Sequence, residues 1–140
     1  MAAGVCIAIH KHFPDAALYG VEPVGFDDTK RSLEAGARVT NYLGAHTLCD
    51  ALMVPEPGTL TFAINSHLLN RVVTVTDAEV RHAMAAGFEH LKIVAEPGGA
   101  AALAAVLAGK LDLAGKTAVV VASGGNVDPV AFAEAIAYQA

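Results

Sequence analysis

The residues best suited to chemistry in this chain stand beside short glycine-rich stretches. In Ser123-Gly124-Gly125-Asn126 a hydroxyl group directly follows an apolar run. Glycines at the end of a strand let a ligand approach the backbone, but they are about as often required simply for a tight turn into a helix. The stretch therefore predicts either a ligand-binding turn or a connection in which Asn126 or Asp128 caps the next helix.

A second stretch, Glu96-Pro97-Gly98-Gly99, places a carboxylate directly before the apolar residues 100–107. Glu96 could cap the helix that these residues predict, or it could face a ligand. Capping is the commoner role of a carboxylate at this position. The residues by themselves leave both roles open.

Three acidic residues, Glu22, Asp27 and Asp28, cluster at the start of another predicted helix. Carboxylate oxygens are the hard ligands that Mg²⁺ and Ca²⁺ prefer. Acidic residues that open a helix are more often partners of its dipole. The cluster is compatible with either role.

Hydrophobic periodicity and turn residues predict the elements that must position these side chains. Helices are expected over residues 2–12, 27–35, 59–70, 76–91 and 100–107, and from Pro129 onward. Thr76 and Glu79 have the spacing of a capping box. Strands are expected to end at Glu22 and to span residues 72–75 and 117–122, with a short strand and turns within 47–54. The alternation indicates an α/β fold with a parallel sheet, which binds ligands at the carboxyl ends of its strands, where Glu22 and Ser123 fall.

The composition indicates one globular domain over residues 1–140. Hydrophobic residues make up 54% of the 140 residues, and the mean hydropathy of +0.47 suits one core better than two. The net charge is −5 and the basic residues form no continuous run, so a nucleic-acid partner is not expected. Cys6 and Cys49 lack metal-ligand spacing, which predicts reduced, buried thiols in a cytoplasmic protein. No uncharged stretch reaches the roughly 18 residues of a membrane span, so no membrane association is expected.

Five motifs occur in order along the chain. They are Tyr19-Gly20-Val21-Glu22-Pro23, Thr47-Leu48-Cys49-Asp50, Val75-Thr76-Asp77-Ala78-Glu79, Glu96-Pro97-Gly98-Gly99-Ala100 and Ser123-Gly124-Gly125-Asn126-Val127-Asp128. Together they resemble threonine dehydratases and serine racemases, over essentially the whole chain. Each motif alone is weak, but five in register make an accidental similarity improbable.

The resemblance implies the C-terminal portion of the large domain of a fold type II pyridoxal phosphate (PLP) enzyme. That domain is a three-layer α/β structure, and the cofactor lies between two domains. The implied reaction is β-elimination of a hydroxy amino acid to a 2-keto acid and ammonia. By the resemblance, Ser123 hydrogen-bonds the pyridine nitrogen of PLP, and Gly124, Glu96 and Ala51 also belong to the cofactor-binding residues.

The same resemblance implies a divalent-cation site for Mg²⁺ or Ca²⁺, with a structural or activating role. Its ligands would be Glu22, the backbone carbonyl of Phe26 and Asp28. Ala51 stands where racemases often have glycine, and the loop at residues 55–58 is closer to that of dehydratases. A dehydratase is therefore favoured, with a serine racemase-like isomerase as the alternative.

Three expected parts are absent from these 140 residues: the Ser-x-Lys segment whose lysine binds PLP covalently, the loop for the substrate carboxylate and the glycine-rich phosphate loop. The lysines that are present, none of which matches that nucleophile, are Lys11, Lys30, Lys92, Lys110 and Lys116. We therefore expect no independent catalysis, an N-terminal half of the same enzyme as partner, and a homo-oligomer. A non-catalytic α/β binding module is the alternative from a different class.

Overall fold

The computed structural model describes residues 1–137, and residues 138–140 of the predicted domain lie outside that part. In chain order the helices are α1 (Ala2–His12), α2 (Asp28–Ala35), α3 (Thr59–Leu68), α4 (Asp77–Ala86), α5 (Pro97–Leu107) and α6 (Pro129–Ile136). The strands are β1 (Tyr19–Pro23) and β2 (Arg71–Val75). A 3₁₀ turn spans Asp50–Leu52, and α4 continues into a π-helical turn at Gly87–Leu91. In residues 1–137 no helix has the length and apolar character needed to cross a bilayer.

The two strands form a parallel pair, with Tyr19 opposite Arg71 and Pro23 opposite Val75. The backbone N–H of Val24 donates to the carbonyl oxygen of Val75 at 2.9 Å, which extends the pairing just beyond β1. Both strands therefore end at the same edge of the pair. Helix α2 begins shortly after β1, and α4 begins directly after β2, so both helices start near this edge.

Helix α5 packs against both strands and against α4, so it lies at the centre of the core. Its buried residues are all small: Gly99, Ala100, Ala101, Ala104 and Ala105. Small side chains allow the helix backbone to approach its neighbours closely without leaving voids. The predicted burial of this nearly nonpolar helix is confirmed.

Helix α4 begins with the predicted capping box. The Thr76 hydroxyl accepts a hydrogen bond from the N–H of Glu79 at 3.2 Å, and the Glu79 carboxylate accepts one from the N–H of Thr76 at 2.7 Å. Through the π-helical turn the helical path reaches Leu91, as predicted, and it stops at Lys92, whose φ is +59°. Local sequence signals are therefore sufficient to define both ends of this element.

The short strand expected within residues 47–54 is wrong, because this segment forms the 3₁₀ turn. The N–H groups of Leu52 and Met53 donate to the carbonyl oxygens of Cys49 and Asp50 at 2.8 and 3.0 Å. These donors are satisfied within the turn and are not available to a neighbouring strand. Cys49 is fully buried in the core and anchors the turn from below.

The central strand expected over residues 117–122 is also not found within the described part of the chain. β1 and β2 pair with each other and not with this run, and the side chain of Val119 is 90% exposed. An apolar run becomes a strand only when a neighbouring strand takes its backbone hydrogen bonds. The β propensity was identified correctly, but residues 1–137 contain no strand that pairs with the run.

Both cysteines are free and buried, as predicted. Burial raises the pKa of the Cys49 thiol to about 11, so this thiol stays protonated at neutral pH. Its contribution is therefore to packing and not to chemistry.

Candidate cofactor site

The first turn of α5 lies directly against the glycine-rich turn at residues 123–126. The closest approach joins Gly99 to Ser123. A methyl group built at Gly99 would overlap the Ser123 carbonyl group and would lie only 2.7 Å from its carbon. No side chain fits there unless the turn moves, so the glycine is required by this contact.

Glu96 holds the same turn through two hydrogen bonds. Its backbone N–H donates to the carbonyl oxygen of Gly124 at 3.1 Å, and its Oε2 accepts from the N–H of Asn126 at 3.2 Å. Gly124 has a φ of +79°, and a Cβ there would collide with the Glu96 carboxylate. The Glu96 side chain makes no capping hydrogen bond to α5. Of the two roles left open by the sequence, the structure therefore shows the carboxylate facing the turn.

Asp128 caps the helix that follows the turn. Its Oδ1 accepts hydrogen bonds from the N–H groups of Val130 and Ala131 at 2.9 and 3.0 Å. The sequence had left Asn126 and Asp128 as alternative caps, and the structure assigns the role to Asp128. The turn at residues 123–126 thus does not have to cap α6 with its own side chains.

Ala51 approaches the same end of α5 from the 3₁₀ turn. A methyl group built at Gly98 would lie 3.6 Å from the Cβ of Ala51 and 3.5 Å from the Cγ of Leu52, which is ordinary van der Waals contact. Gly98 thus faces the 3₁₀ turn, while Gly99 faces Ser123. The four residues predicted to bind the cofactor are brought together around the start of α5: Ala51, Glu96, Ser123 and Gly124.

The chemistry of this site fits PLP. The Ser123 hydroxyl is half-buried and makes no hydrogen bond within residues 1–137, so its hydrogen-bonding capacity is available to a ligand. A pyridine nitrogen needs one such partner, and a hydroxyl group can donate to it. Gly124 and Gly125 are exposed and carry no side chain that would cover the neighbouring backbone.

The candidate cation ligands lie at the opening of α2. Both oxygens of Glu22 accept backbone N–H bonds, from Thr29 at 3.0 Å and from Lys30 at 2.9 Å, so Glu22 stabilises the helix N-terminus. Asp28 is 1% exposed, and its Oδ1 accepts from the side-chain amide of Asn41 at 2.7 Å. Its Oδ2 is buried and has no hydrogen-bond partner in the described structure.

Burial raises the pKa of both Glu22 and Asp28, even though each accepts hydrogen bonds that act in the opposite direction. A buried carboxylate oxygen without a partner favours binding of either a proton or a cation. Within residues 1–137 no three histidine, cysteine or acidic side chains form a metal-binding group. A cation here would also need backbone or water oxygens, such as the predicted carbonyl of Phe26, a residue that is itself buried.

Sequence reasoning missed Asn41, which connects this region to the segment that carries Ala51. The Asn41 amide nitrogen donates to Asp28 Oδ1 and to the carbonyl oxygen of Val54, both at 2.7 Å. Its Oδ1 accepts from a guanidinium nitrogen of Arg31 at 2.8 Å. No local pattern marks this residue, because its partners come from three separate parts of the chain.

The lysines lie away from the start of α5. Lys11 is exposed near the end of α1. The others contact nearby carboxylate or carbonyl groups: Lys30 with Glu34 at 2.7 Å, Lys92 with the Glu89 carbonyl at 2.7 Å, Lys110 with Glu79 at 2.7 Å, and Lys116 with Asp112 at 3.6 Å. That no lysine of this chain binds the cofactor covalently therefore stays a prediction.

A parallel α/β unit in which a serine, a carboxylate and glycine turns meet at one helix start is the kind of site that binds a cofactor such as PLP. Residues 1–124 match the family model described as "Pyridoxal-phosphate dependent enzyme". The chain belongs to this family. Within it, the chain is similar to threonine dehydratases and serine racemases, which confirms the resemblance found in the motifs.

Two curated relatives illustrate the similarity. L-threonine ammonia-lyase of Thermotoga maritima is 37% identical over 128 residues, which cover 91% of this chain and 31% of the relative. Serine racemase of Dictyostelium discoideum is 36% identical over 133 residues, which cover 91% of this chain and 40% of the relative. The chain therefore spans less than half the length of these relatives.

Solved structures show the same relationship. A threonine deaminase from the bacterium abbreviated T.th. superposes with a TM-score of 0.84 at 35% identity, covering 91% of this chain and 46% of that one. Maize serine racemase superposes with a TM-score of 0.85 at 30% identity, covering 96% of this chain and 42% of that one. These superpositions confirm the predicted fold class, an α/β fragment of a fold type II PLP enzyme.

Proposed function

We propose that this chain is the C-terminal portion of the catalytic region of a PLP-dependent ammonia-lyase. The reaction is β-elimination of a hydroxy amino acid to a 2-keto acid and ammonia. The observation that carries the proposal is the convergence of Ser123, Gly124, Glu96 and Ala51 at the start of α5. The names of the similar proteins, which include threonine, phenylserine and hydroxyaspartate dehydratases or ammonia-lyases, support the reaction class.

The residues at this site have distinct roles in the proposal. When bound, PLP supplies an electron sink for the bond changes at the substrate α-carbon. Ser123 holds the pyridine nitrogen with a neutral hydroxyl group, which withdraws fewer electrons through the ring than a carboxylate partner would. Glu96 keeps the turn at residues 123–126 in place and lies near the ring, while Gly124 and Ala51 leave room for it.

A β-hydroxy amino acid is the proposed substrate class, because a hydroxyl at the β-carbon is the feature that threonine, phenylserine and hydroxyaspartate share. A dehydratase is preferred over a serine racemase-like isomerase. Ala51 and the loop at residues 55–58 are the features of this chain that favour it. Part of the substrate specificity is expected to come from a carboxylate-binding loop outside these 140 residues.

The chain is proposed to be catalytically incomplete by itself. No lysine lies at the start of α5, so the amine that binds PLP covalently must come from an N-terminal half of the same enzyme. The exposed, unpaired run at residues 117–122, in which Val119 is 90% and Val121 is 43% exposed, is a suitable edge for strands of that half. Exposed apolar surface of this kind also supports a homo-oligomer.

Two further features belong to the proposal. Glu22, the Phe26 carbonyl and Asp28 bind Mg²⁺ or Ca²⁺, and the unpartnered Asp28 Oδ2 is the observation that favours this. A cytoplasmic location is proposed because Cys6 and Cys49 are both free thiols. A non-catalytic α/β binding module is the alternative function, and it would be favoured if the chain were a stable monomer without the N-terminal half.

Co-expression with the N-terminal half of a fold type II relative is expected to produce PLP binding that the isolated chain lacks. The complex should show the visible absorbance of lysine-bound PLP, become covalently labelled on borohydride reduction, and convert threonine or serine to a keto acid. The isolated chain should do none of these, because it has no suitable amine. Ser123→Ala in the complex is expected to lower kcat at unchanged folding.

Either of two results would contradict this proposal. One is a site-specific, borohydride-reducible adduct with turnover in the isolated chain, which would show that it is catalytically complete. The other is the absence of PLP binding in both samples, which would favour the non-catalytic module.

A further inference from the structure

Two motifs that are far apart in the sequence are joined by the carboxylate of Asp77. Asp77 Oδ1 accepts a hydrogen bond from the Thr47 hydroxyl at 2.6 Å. Both carboxylate oxygens also accept from the backbone N–H of Leu48 at 3.2 Å. The Thr47 hydroxyl in turn accepts from the N–H of Cys49 at 3.2 Å. A single side chain at the start of α4 thus fixes the chain just before the 3₁₀ turn.

Asp77 is not needed to cap its own helix. The capping box of Thr76 and Glu79 already satisfies the N-terminus of α4. The Asp77 carboxylate is therefore directed at a segment that lies 29 and 30 residues earlier in the chain. Charge-assisted hydrogen bonds of this kind are stronger than neutral ones, and the helix dipole favours the negative charge at this end.

The segment held by Asp77 is the one that carries Ala51. Cys49 is fully buried in the core, so Thr47 and Leu48 are fixed from α4 and Cys49 from below. The 3₁₀ turn then places Ala51 and Leu52 beside Gly98 at the start of α5. Movement of this turn would change the distance between Ala51 and the opposite wall formed by Ser123.

We propose that Asp77 and Thr47 are positioning residues, which hold the Ala51 turn against α5 and so fix one wall of the cofactor site. This inference rests on the proposed function, because it assigns the wall a role in binding PLP. Neither residue touches the cofactor. Their effect passes through the backbone of residues 48–52.

Amide hydrogen exchange of the 140-residue chain tests the positioning itself. In Asp77→Asn and in Thr47→Val, exchange of residues 48–53 is expected to accelerate at least about tenfold, because a hydrogen bond to a charged acceptor is weakened or lost. Exchange in β2 and α5 should stay at the wild-type rate. Thr47→Ser keeps the hydroxyl group and should restore slow exchange.

Thr76→Ala is the matched control, because it weakens the start of the same helix without touching residues 47–51. It should lower the unfolding temperature while leaving exchange of residues 48–53 unchanged relative to the rest of the core. Uniformly faster exchange in Asp77→Asn, or equal local acceleration in Thr76→Ala, would overturn the proposal.

The link to the cofactor is tested by PLP titration of the co-expressed complex. The dissociation constant for PLP is expected to rise about tenfold in Asp77→Asn and Thr47→Val, and to stay within about twofold in Thr47→Ser and Thr76→Ala. Local loosening with unchanged PLP affinity would refute the positioning role. If the wild-type complex bound no PLP, the proposed function would fail together with the cofactor role of Asp77, while the exchange difference would persist.

Discussion

Replacing Gly99 by alanine is expected to abolish PLP binding, whereas the same change at the neighbouring Gly98 is expected to be tolerated. The added methyl group at Gly99 would overlap the carbonyl of Ser123 and force the turn at residues 123–126 away from α5. Ser123 and Gly124 would then lose their fixed position relative to Glu96. The expected cost in folding free energy is about 1–3 kcal/mol, which is typical of overpacking in a tight contact.

Gly98→Ala is a close control, because it adds the same atoms one residue away in the same helical turn. Its methyl group would meet Ala51 and Leu52 at 3.5–3.6 Å, without overlap. Neither glycine has a positive φ, so alanine causes no backbone strain at either position. Inside a helix, alanine is favoured over glycine by up to about 1 kcal/mol, so Gly98→Ala should be as stable as the wild type or more stable.

Thermal unfolding of the chain and PLP titration of the co-expressed complex measure the two effects. Gly99→Ala should unfold at a lower temperature and show no saturable PLP absorbance. Gly98→Ala should retain both properties. Equal behaviour of the two variants would mean that the contact between α5 and residues 123–126 does not shape the site.

Asp28→Asn is expected to change the pH dependence of stability and to remove stabilisation by Mg²⁺ or Ca²⁺. Burial raises the pKa of Asp28 in the folded chain, so folding favours its protonated form. The stability contributed by this protonation is fully present below the unfolded-state pKa of about 4 and is lost as the pH rises through the folded-state pKa. Asparagine cannot ionise, so the variant should gain stability relative to the wild type as the pH increases from about 4 towards about 8.

A cation should have the opposite effect on the wild type. Ionised Asp28 and Glu22 are the binding-competent forms, so Mg²⁺ or Ca²⁺ should raise the unfolding temperature of the wild type more at about pH 8 than at about pH 5. Glu79 also affects the overall pH curve: although burial acts to raise its pKa, hydrogen bonds from Lys110 and Thr76 lower it. The difference between wild type and variant removes this common contribution.

Asp27→Asn supplies the control for Asp28→Asn. It removes the same charge one residue earlier, where the carboxylate pairs with Arg31 at 3.1 Å. Stabilisation by the cation should survive in Asp27→Asn and vanish in Asp28→Asn. Equal stabilisation of all three proteins, or of none, would rule out the proposed ligand set.

Most elements of the fold could be predicted from local signals. The capping box at Thr76 and Glu79, the apolar alanine run of α5 and the β-branched residues of β2 are each contained within a short window of sequence. Such patterns determine structure locally, because a cap or an amphipathic period acts over one or two helical turns. The two errors, at residues 47–54 and 117–122, concern segments whose backbone partners lie elsewhere.

The site divides in the same way. The sequence by itself determined which residue types are available for chemistry: the Ser123 hydroxyl, the Glu96 carboxylate, the acidic pair Glu22 and Asp28, and no lysine among the five motifs. These properties belong to individual side chains, and the order of the motifs was sufficient to indicate the family.

Only the tertiary structure decided how these residues are used. It directed Glu96 to the N–H of Asn126 instead of to its own helix, left Asp28 Oδ2 without a partner, and tied Asp77 to Thr47. Each of these outcomes depends on a contact between segments distant in the chain, or on burial from water. Neither quantity is written in local residue spacing, because hydrogen-bond partners and desolvation are set by which surfaces the folded chain brings together.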